Sequence, residues 1–234
     1  CYHGVTDMFR IEKHAAFVYA SQLSPKVNPV LHAVTLWSRG ERSISGCMTL
    51  AVLTNCDYVE LQYGEQPARR VYPDRDSFPN LPYAPIILDE RNVDPAELGE
   101  WGLAWDSLSL KGFVDNKVVA QEYFAANPQP AGIVVSIDDA QLGANEKELT
   151  RVVVKGVDQC GHPMPYWNPV VSLTVNGPAR IVGPQQLPLI GGVAGSYLET
   201  TLQPGVVELT VSVPGYDSQI VTVDVLASNG GGEC

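Results

Sequence analysis

The chain has 234 residues, with 15 Lys or Arg against 26 Asp or Glu, so its formal net charge is −11 at pH 7. This acidic balance excludes a general binder of polyanions such as nucleic acid, because neutralising phosphates requires a basic face. Hydrophobic residues make up 45% of the chain, which allows a core and argues against disorder. No apolar run approaches the ~18–20 residues of a membrane helix, so we expect no membrane partner either.

The first residues differ from the rest of the chain, because residues 7–22 carry its one helical pattern. Apolar side chains recur there at positions 8, 9, 11, 15, 16, 18 and 19, close to the period of an α-helix. Thr6 or Asp7 could cap this helix, and Pro25 prevents it from continuing. A single amphipathic helix cannot bury its apolar face alone. We therefore expect it to pack on the following domain or on a body outside this sequence.

After Pro29 the pattern changes to short strands separated by turns. Strand patterns occupy residues 30–37, 48–54, 58–63, 101–105 and 118–124, and then 132–137, 149–157, 170–175, 199–202, 206–213 and 219–226. Between them, residues 65–100 are rich in Pro, Asp and Arg and predict a long covering or functional loop. Six or seven short strands in about 100 residues are typical of an immunoglobulin-like sandwich.

The sequence therefore predicts an all-β fold with two consecutive immunoglobulin-like β-sandwich domains, preceded by one short α-helix. The natural boundary is the Pro-rich segment Asn127–Pro130. The expected organisation is a loop and helix at 1–25, a first sandwich at 26–127 with the loop 65–100, a second sandwich at 128–228 and a flexible tail at 229–234.

The five cysteines, at positions 1, 47, 56, 160 and 234, form neither a CxxC pair nor a metal-ligand spacing. We therefore expect no metal and no cofactor. Two interpretations of the odd count stay open: free thiols in a reducing compartment, which favours the cytoplasm over secretion, or a Cys47–Cys56 bridge. The chain begins at Cys1 without an initiator Met or a leader, so we expect it to be a piece of a longer protein.

Several motifs along the chain resemble glycoside hydrolase family 2. In that family a segment G-x-x-D-x-x-R-x-P-K-x-A follows the last strand of a (β/α)8 barrel and enters its last helix. Gly4, Asp7, Arg10 and Lys13 match this segment, whereas Glu12 stands in place of the proline. Further resemblances follow in family order: Leu53–Leu61 to S-N-C-x-x-V-E-L, Trp101–Trp105 and Gly112–Ala120 to the next strands, Val157–Pro165 to V-x-D-x-x-G-x-x-V-P, and Gly177–Gly183 to G-P-x-x-x-x-G.

The resemblance implies a C-terminal fragment of a retaining β-glycosidase of the β-galactosidase type, which hydrolyses O-glycosyl bonds. In this family both catalytic carboxyls come from barrel strands upstream of the matched segment, so the helix would be a remnant of the barrel. The fragment itself is expected to be inert, with a role in packing on the barrel, shaping its rim or forming homo-oligomer contacts. Asn145-Glu146 resembles the acid/base dipeptide, but it lies in a predicted turn, so no catalytic residue is assigned.

Four residues would lie just after the last barrel strand, on the face where barrel active sites form: Tyr2, His3, Asp7 and Arg10. They are predicted to line the rim of the parent's sugar site. The alternative is that Asp7 caps the helix and forms a surface pair with Arg10, which contributes little energy.

Exposed aromatic residues are the other candidate site. Tyr166 and Trp167 lie in a Pro-flanked loop and could stack on sugar rings, whereas Trp101 and Trp105 fit core packing better. The loop carboxylates Asp74, Asp76 and Asp89-Glu90 lack the spacing of a calcium loop and fit solvated charge. Two rival functions remain: a carbohydrate-binding module, or an adhesion-type module of stacked sandwiches.

Overall fold

The structure is a computed structural model that describes residues 3–38, 49–92 and 105–227. The chain divides into two compact units, residues 1–128 and 129–234. Across the described ranges the backbone forms one helix and 16 strands. The predicted all-β fold with one short helix is confirmed. No helix in these ranges has the length and apolar character needed to cross a membrane.

Unit 1 is a sandwich of two antiparallel sheets. Its elements are α1 (His14–Ala20), β1 (Leu31–Ala33), β2 (Leu50–Thr54), β3 (Tyr58–Tyr63), β4 (Arg69–Val71), β5 (Ile86–Leu88), β6 (Leu108–Val114) and β7 (Lys117–Phe124). One sheet has the order β1-β2-β5 and the other β4-β3-β6-β7. Side chains from both sheets form one core, in which Trp37 is fully buried beside Trp105. Trp105 therefore packs as expected, whereas Trp101 lies outside the described residues.

Unit 2 is a larger sandwich. Its strands are β8 (Pro130–Ile137), β9 (Gln141–Gly143), β10 (Leu149–Asp158), β11 (Val170–Asn176), β12 (Ala179–Val182), β13 (Gln186–Pro188), β14 (Val193–Thr200), β15 (Gly205–Ser212) and β16 (Gln219–Leu226). The sheets run β12-β14-β10-β8 and β13-β11-β15-β16-β9. All pairs are antiparallel except β9 with β16, which is parallel. The predicted tail at 229–234 lies outside the described residues.

The helix is shorter than its apolar pattern predicts, since it begins at His14 instead of residue 7. Asp7 Oδ1 accepts the backbone N–H groups of Phe9 and Ile11, both at 2.8 Å, and Arg10 takes a left-handed conformation with φ 58°. These bonds fold residues 7–11 into a separate turn. The expectation that Asp7 caps the helix is therefore wrong: the N-cap position is occupied by Lys13, whose side chain does not cap the helix.

The stretch 65–100 is not one continuous loop, because β4 and β5 lie within it. Strand β5 completes one sheet through its pairing with β2, and β4 pairs with β3 in the other. Both strands have only three residues. This is too short for an alternating pattern to stand out against the surrounding prolines.

Asn55 joins the segment after the helix to the sandwich. Its Oδ1 accepts the Val30 N–H at 2.8 Å, and its Nδ2 donates to the carbonyls of Leu23 and Asn28, both at 2.8 Å. The side chain is fully buried, with 1% of its surface exposed. The asparagine of the T-N-C motif therefore has a structural task, which is to hold residues 23–30 on unit 1.

Cys56, the next residue of that motif, is a free, buried thiol. Burial raises its pKa, so it behaves as a packing residue rather than as a reactive thiolate. A Cβ at Gly112 on β6 would lie 2.6 Å from its Sγ, which explains a glycine at that strand position. The alternative of a Cys47–Cys56 bridge is wrong, because Cys56 is a free thiol. Cys47 lies outside the described residues.

Candidate functional site

The N-terminal segment of unit 1 exposes an unusual number of large apolar side chains. They are Val5, Met8, Val18, Tyr19, Leu23 and Val27, here called the N-terminal apolar residues; Met8 is 85% exposed, Tyr19 70% and Val27 76%. None of the residues of α1 is buried. Such a concentration of exposed apolar surface in one short segment is typical of a surface that contacts another body.

Ring contacts and hydrogen bonds hold the helix and the residues that follow it on unit 1. The Phe17 ring stacks on the His32 ring of β1, with centroids 3.7 Å apart, and His14 Nδ1 lies 2.7 Å from His32 Nε2. Gln22 exchanges two hydrogen bonds with the backbone of Tyr83. These contacts fix the position of the segment while leaving its other apolar side chains exposed.

Three of the four predicted rim residues fall in the described part of the chain, and Tyr2 lies outside it. His3 and Arg10 are exposed, whereas Asp7 is half-buried inside the turn that it organises. Arg10 meets Asp7 through its backbone, with N–H donating to the Asp7 carbonyl at 3.1 Å. Two further backbone bonds, Asp7 to Ile11 and Lys13 to Val5, close the loop. The loop is therefore preformed, and it presents His3 and Arg10 outward.

The structure separates the two residues of the predicted sugar-stacking pair. Tyr166 is 86% exposed. Trp167 is half-buried and packs against the core of unit 2. It also meets Tyr216 edge to face, with ring centroids 5.1 Å apart and planes at 66°. The only local sequence signal near Tyr216 is the Pro-Gly-Tyr-Asp run that contains it, which is a turn signal.

A cleft of about 330 Å³ lies beside Tyr216 in unit 2. We call it the tyrosine cleft; it is lined by Ala131, Gly132, Ile133, Val157, Gly215, Tyr216, Asp217 and Gln219. A second cleft of about 320 Å³ is lined by Gln141, Leu142, Gly143, Asn145, Glu148, Leu226 and Ala227. The lining of each cleft contains a single carboxylate, Asp217 in the first and Glu148 in the second.

Several of the remaining polar candidates have structural partners. Asn145-Glu146 lies in the bend between β9 and β10, and the Glu146 carbonyl accepts the Thr200 hydroxyl. A backbone bond from Ser77 and the nearby Arg91 lower the pKa of Asp74, and bonds from Arg91 lower that of Asp89. Within the described ranges, no group of three or more His, Cys, Asp or Glu is arranged to hold a metal.

Glu122, in unit 1, has a strongly raised pKa. Burial raises the pKa of Glu122 to about 7, partly offset by the Ala33 N–H, which donates to Glu122 Oε2 at 3.0 Å. Glu122 is on β7 opposite Leu110, and it lines neither cleft. This hydrogen bond joins β7 to β1 across the sandwich, so Glu122 has a structural role.

Comparison with known proteins places these features in a family. The sequence profile of glycoside hydrolase family 2 C-terminal domain 5 matches residues 133–222, within unit 2. A β-galactosidase from Thermoanaerobacterium thermosulfurigenes is 47% identical over 193 residues, which cover 82% of this chain. The chain spans only 27% of the length of that relative.

Two further matches agree. A β-galactosidase from Rhizobium radiobacter is 33% identical over 129 residues, which are 55% of this chain and 94% of that relative. A β-glycosidase structure from Bacteroides vulgatus matches with a TM-score of 0.70 at 20% identity, covering 95% of this chain and 28% of that one. At that identity the structural match supports the fold alone. On the sequence matches, the chain belongs to glycoside hydrolase family 2 and contains the family's C-terminal domain 5.

Proposed function

We propose that this chain is a non-catalytic C-terminal accessory region of a retaining β-glycosidase of the β-galactosidase type. In this proposal the N-terminal apolar residues dock on the catalytic barrel of the same polypeptide. The observation that carries it is the N-terminal segment itself, which is fixed by Asn55 and His32 yet leaves Met8, Tyr19 and Val27 largely exposed. The relative that is 47% identical extends well beyond the matched region, which provides a body for this surface to contact.

Docking of this segment should contribute a substantial free energy of association through the burial of apolar side chains. Full burial of a side chain such as Val, Leu or Met contributes about 1.5–3 kcal/mol. Several such side chains are exposed together here, so their burial would offset the cost of ordering the contact. The proposal also places His3, Asp7 and Arg10, together with Tyr2, at the rim of the barrel's sugar site, where the preformed loop would present its outward side chains to substrate.

The proposed lack of activity rests on the chemistry of retaining hydrolysis. That reaction uses two carboxyl groups about 5–5.5 Å apart, one as acid/base and one as nucleophile. The tyrosine cleft and the cleft beside Glu148 each have one carboxylate in their lining. Glu122, whose pKa of about 7 would suit a general acid, instead bonds to a backbone amide between two strands.

The first test is turnover of nitrophenyl β-galactoside by the purified chain, and measurable hydrolysis would overturn the proposal. The second is complementation of the Thermoanaerobacterium relative, truncated before the matched region. We expect this chain to restore the activity that the truncated enzyme lacks.

A matched pair of variants locates the docking surface. Leu23 and Leu149 are equally exposed, at 53% and 54%, in units 1 and 2 respectively. We expect Leu23→Asp to abolish complementation, because it places a charge among the N-terminal apolar residues, and Leu149→Asp to leave it unchanged. Equal complementation by both variants would show that the docking surface lies elsewhere.

A further inference from the structure

We propose that the tyrosine cleft of unit 2 binds a single residue of a neutral sugar, with Tyr216 as its stacking platform and Asp217 and Gln219 as its hydroxyl-binding groups. This site is independent of the docking surface in unit 1. It also differs from the Tyr166–Trp167 pair that the sequence suggests, because Tyr166 is absent from the cleft lining.

The first step of the argument is the turn that builds one wall of the cleft. Tyr216 N–H donates to the Val213 carbonyl at 3.3 Å, and Gly215 between them has φ 88°. Pro214 followed by Gly215 at positive φ is the pattern of a type II turn. The turn ends β15 and places Tyr216, Asp217 and then Gln219 along one side of the cleft.

The second step is the part of the lining that β8 contributes, where the β8–β10 ladder is irregular. Gly132 pairs with Val157 and Pro130 with Asp158, so Ala131 is an extra residue on β8. Such a bulge leaves one residue without a ladder partner, and bulges are frequent beside binding sites. Ala131 and Gly132 both line the cleft. We therefore infer that the backbone groups of Ala131, which the bulge leaves outside the ladder, add to the polar groups of Asp217 and Gln219.

The third step is the rigidity of the platform. Tyr216 rests against Trp167, and Trp167 in turn packs on Gly156 of β10, where a Cβ would lie 2.7 Å from the indole Cε3. Gly156 thus leaves the space that the indole occupies. A ring that is already fixed loses little conformational entropy when a ligand arrives, which favours binding.

The fourth step is the choice of ligand. An aromatic ring suits the apolar face of a sugar ring, while carboxylate, amide and backbone groups suit its hydroxyls. The side chains of Asp217 and Gln219 are exposed, and neither forms a hydrogen bond within the part of the chain that the structure describes. The chain's net charge of −11 and Asp217 itself disfavour an anionic ligand. A volume of about 330 Å³ is at the low end for small-molecule sites, which fits one sugar residue.

The experiment is a titration of the ¹⁵N-labelled chain with galactose, lactose and cellobiose up to tens of millimolar, followed by amide chemical shifts. We expect at least one sugar to give saturable shifts centred on Gly132, Gly215 and Asp217. Tetramethylammonium is the competing probe. Saturable binding of this cation at the cleft without binding of any sugar would overturn the proposal, as would the absence of saturable shifts.

The variants test the assigned roles. Tyr216→Ala should weaken binding at least about tenfold, which corresponds to about 1.4 kcal/mol, whereas Tyr216→Phe should retain it because the ring remains. Asp217→Ala should weaken binding severalfold. Tyr72→Ala, which removes an exposed tyrosine from unit 1, and Tyr166→Ala should leave it unchanged. Loss of binding in Tyr166→Ala with full binding in Tyr216→Ala would refute the assignment.

Discussion

Replacing Asn55 should destabilise unit 1 more than replacing an exposed asparagine does. Asn55→Ala removes three hydrogen bonds of 2.8 Å from a side chain that is 1% exposed. A typical hydrogen bond contributes a net of about 0.5–1.5 kcal/mol, and a buried group left without a partner costs about 1–3 kcal/mol. The Val30 N–H is buried and bears the larger penalty, while the carbonyls of Leu23 and Asn28 are partly accessible to water. We therefore expect a total loss of about 3–4 kcal/mol.

Asn55→Asp separates hydrogen bonding from shape. A carboxylate keeps the acceptor for Val30 N–H, but it has no donor for the two carbonyls and places a charge in a buried position. We expect this variant to be at least as unstable as Asn55→Ala at pH 8. Burial should raise the pKa of the new carboxyl above its unfolded value, so the folded state binds the extra proton and acidification should restore part of the stability.

Urea unfolding of unit 1 measures these changes, and hydrogen exchange at the Val30 amide locates them. The control is Asn80→Ala, because Asn80 is exposed and its side chain makes no hydrogen bond within the described residues. Its effect should stay within about 0.5 kcal/mol. If Asn55→Ala or Asn55→Asp unfolded at the same urea concentration as Asn80→Ala, the bonds of Asn55 would not stabilise the segment and the reasoning would fail.

Three other features make predictions of the same kind. The raised pKa of Glu122, about 7, exceeds the unfolded value of about 4.3, so the folded state binds more protons between these values and unit 1 should lose stability as pH rises through this window. Glu122→Gln should abolish that part of the pH dependence in urea unfolding, and an unchanged slope would contradict the assignment. Gly156→Ala should destabilise unit 2 by about 1–3 kcal/mol through overpacking against Trp167, measured as a lower thermal midpoint. Phe17→Ala should increase proteolysis of the helix, because it removes the stack on His32; an unchanged cleavage rate would show that the stack does not hold the helix.

The sequence predicts the fold class well because alternating apolar residues and Pro-Gly turns determine strands locally. It predicts the lengths of helices and strands less well where tertiary contacts interrupt a pattern. The strand expected at 30–37 is reduced to Leu31–Ala33, and beyond it Trp37 takes a left-handed conformation with φ 51°. Its indole enters the core and donates to the Asp106 carbonyl at 2.8 Å. Nothing within residues 30–37 indicates that distant partner.

The sequence also predicts the candidate sites only in part, because tertiary packing decides which residues meet. Tyr166 and Trp167 stand out in the sequence because they are adjacent aromatic residues in a Pro-flanked loop, but adjacency along the chain does not place them on one surface. Tyr216 joins Trp167 through the packing of the sandwich, and the bulge at Ala131 depends on the β8–β10 register. Both are tertiary features. The local sequence signal for the cleft is the Pro-Gly-Tyr-Asp turn at residues 214–217.

Asn55 also connects the stability of unit 1 to the proposed docking. Three hydrogen bonds from the buried Asn55 side chain hold residues 23–30, although Leu23 and Val27 in that segment remain exposed. Ordering a segment in advance lowers the entropy that must be lost when it meets a partner. Asn55→Ala should therefore weaken complementation of the truncated relative even at temperatures where unit 1 stays folded, whereas Glu122→Gln should not, because Glu122 lies on β7, outside that segment. Equal complementation by both variants would mean that Asn55 stabilises the sandwich without preparing the segment for docking.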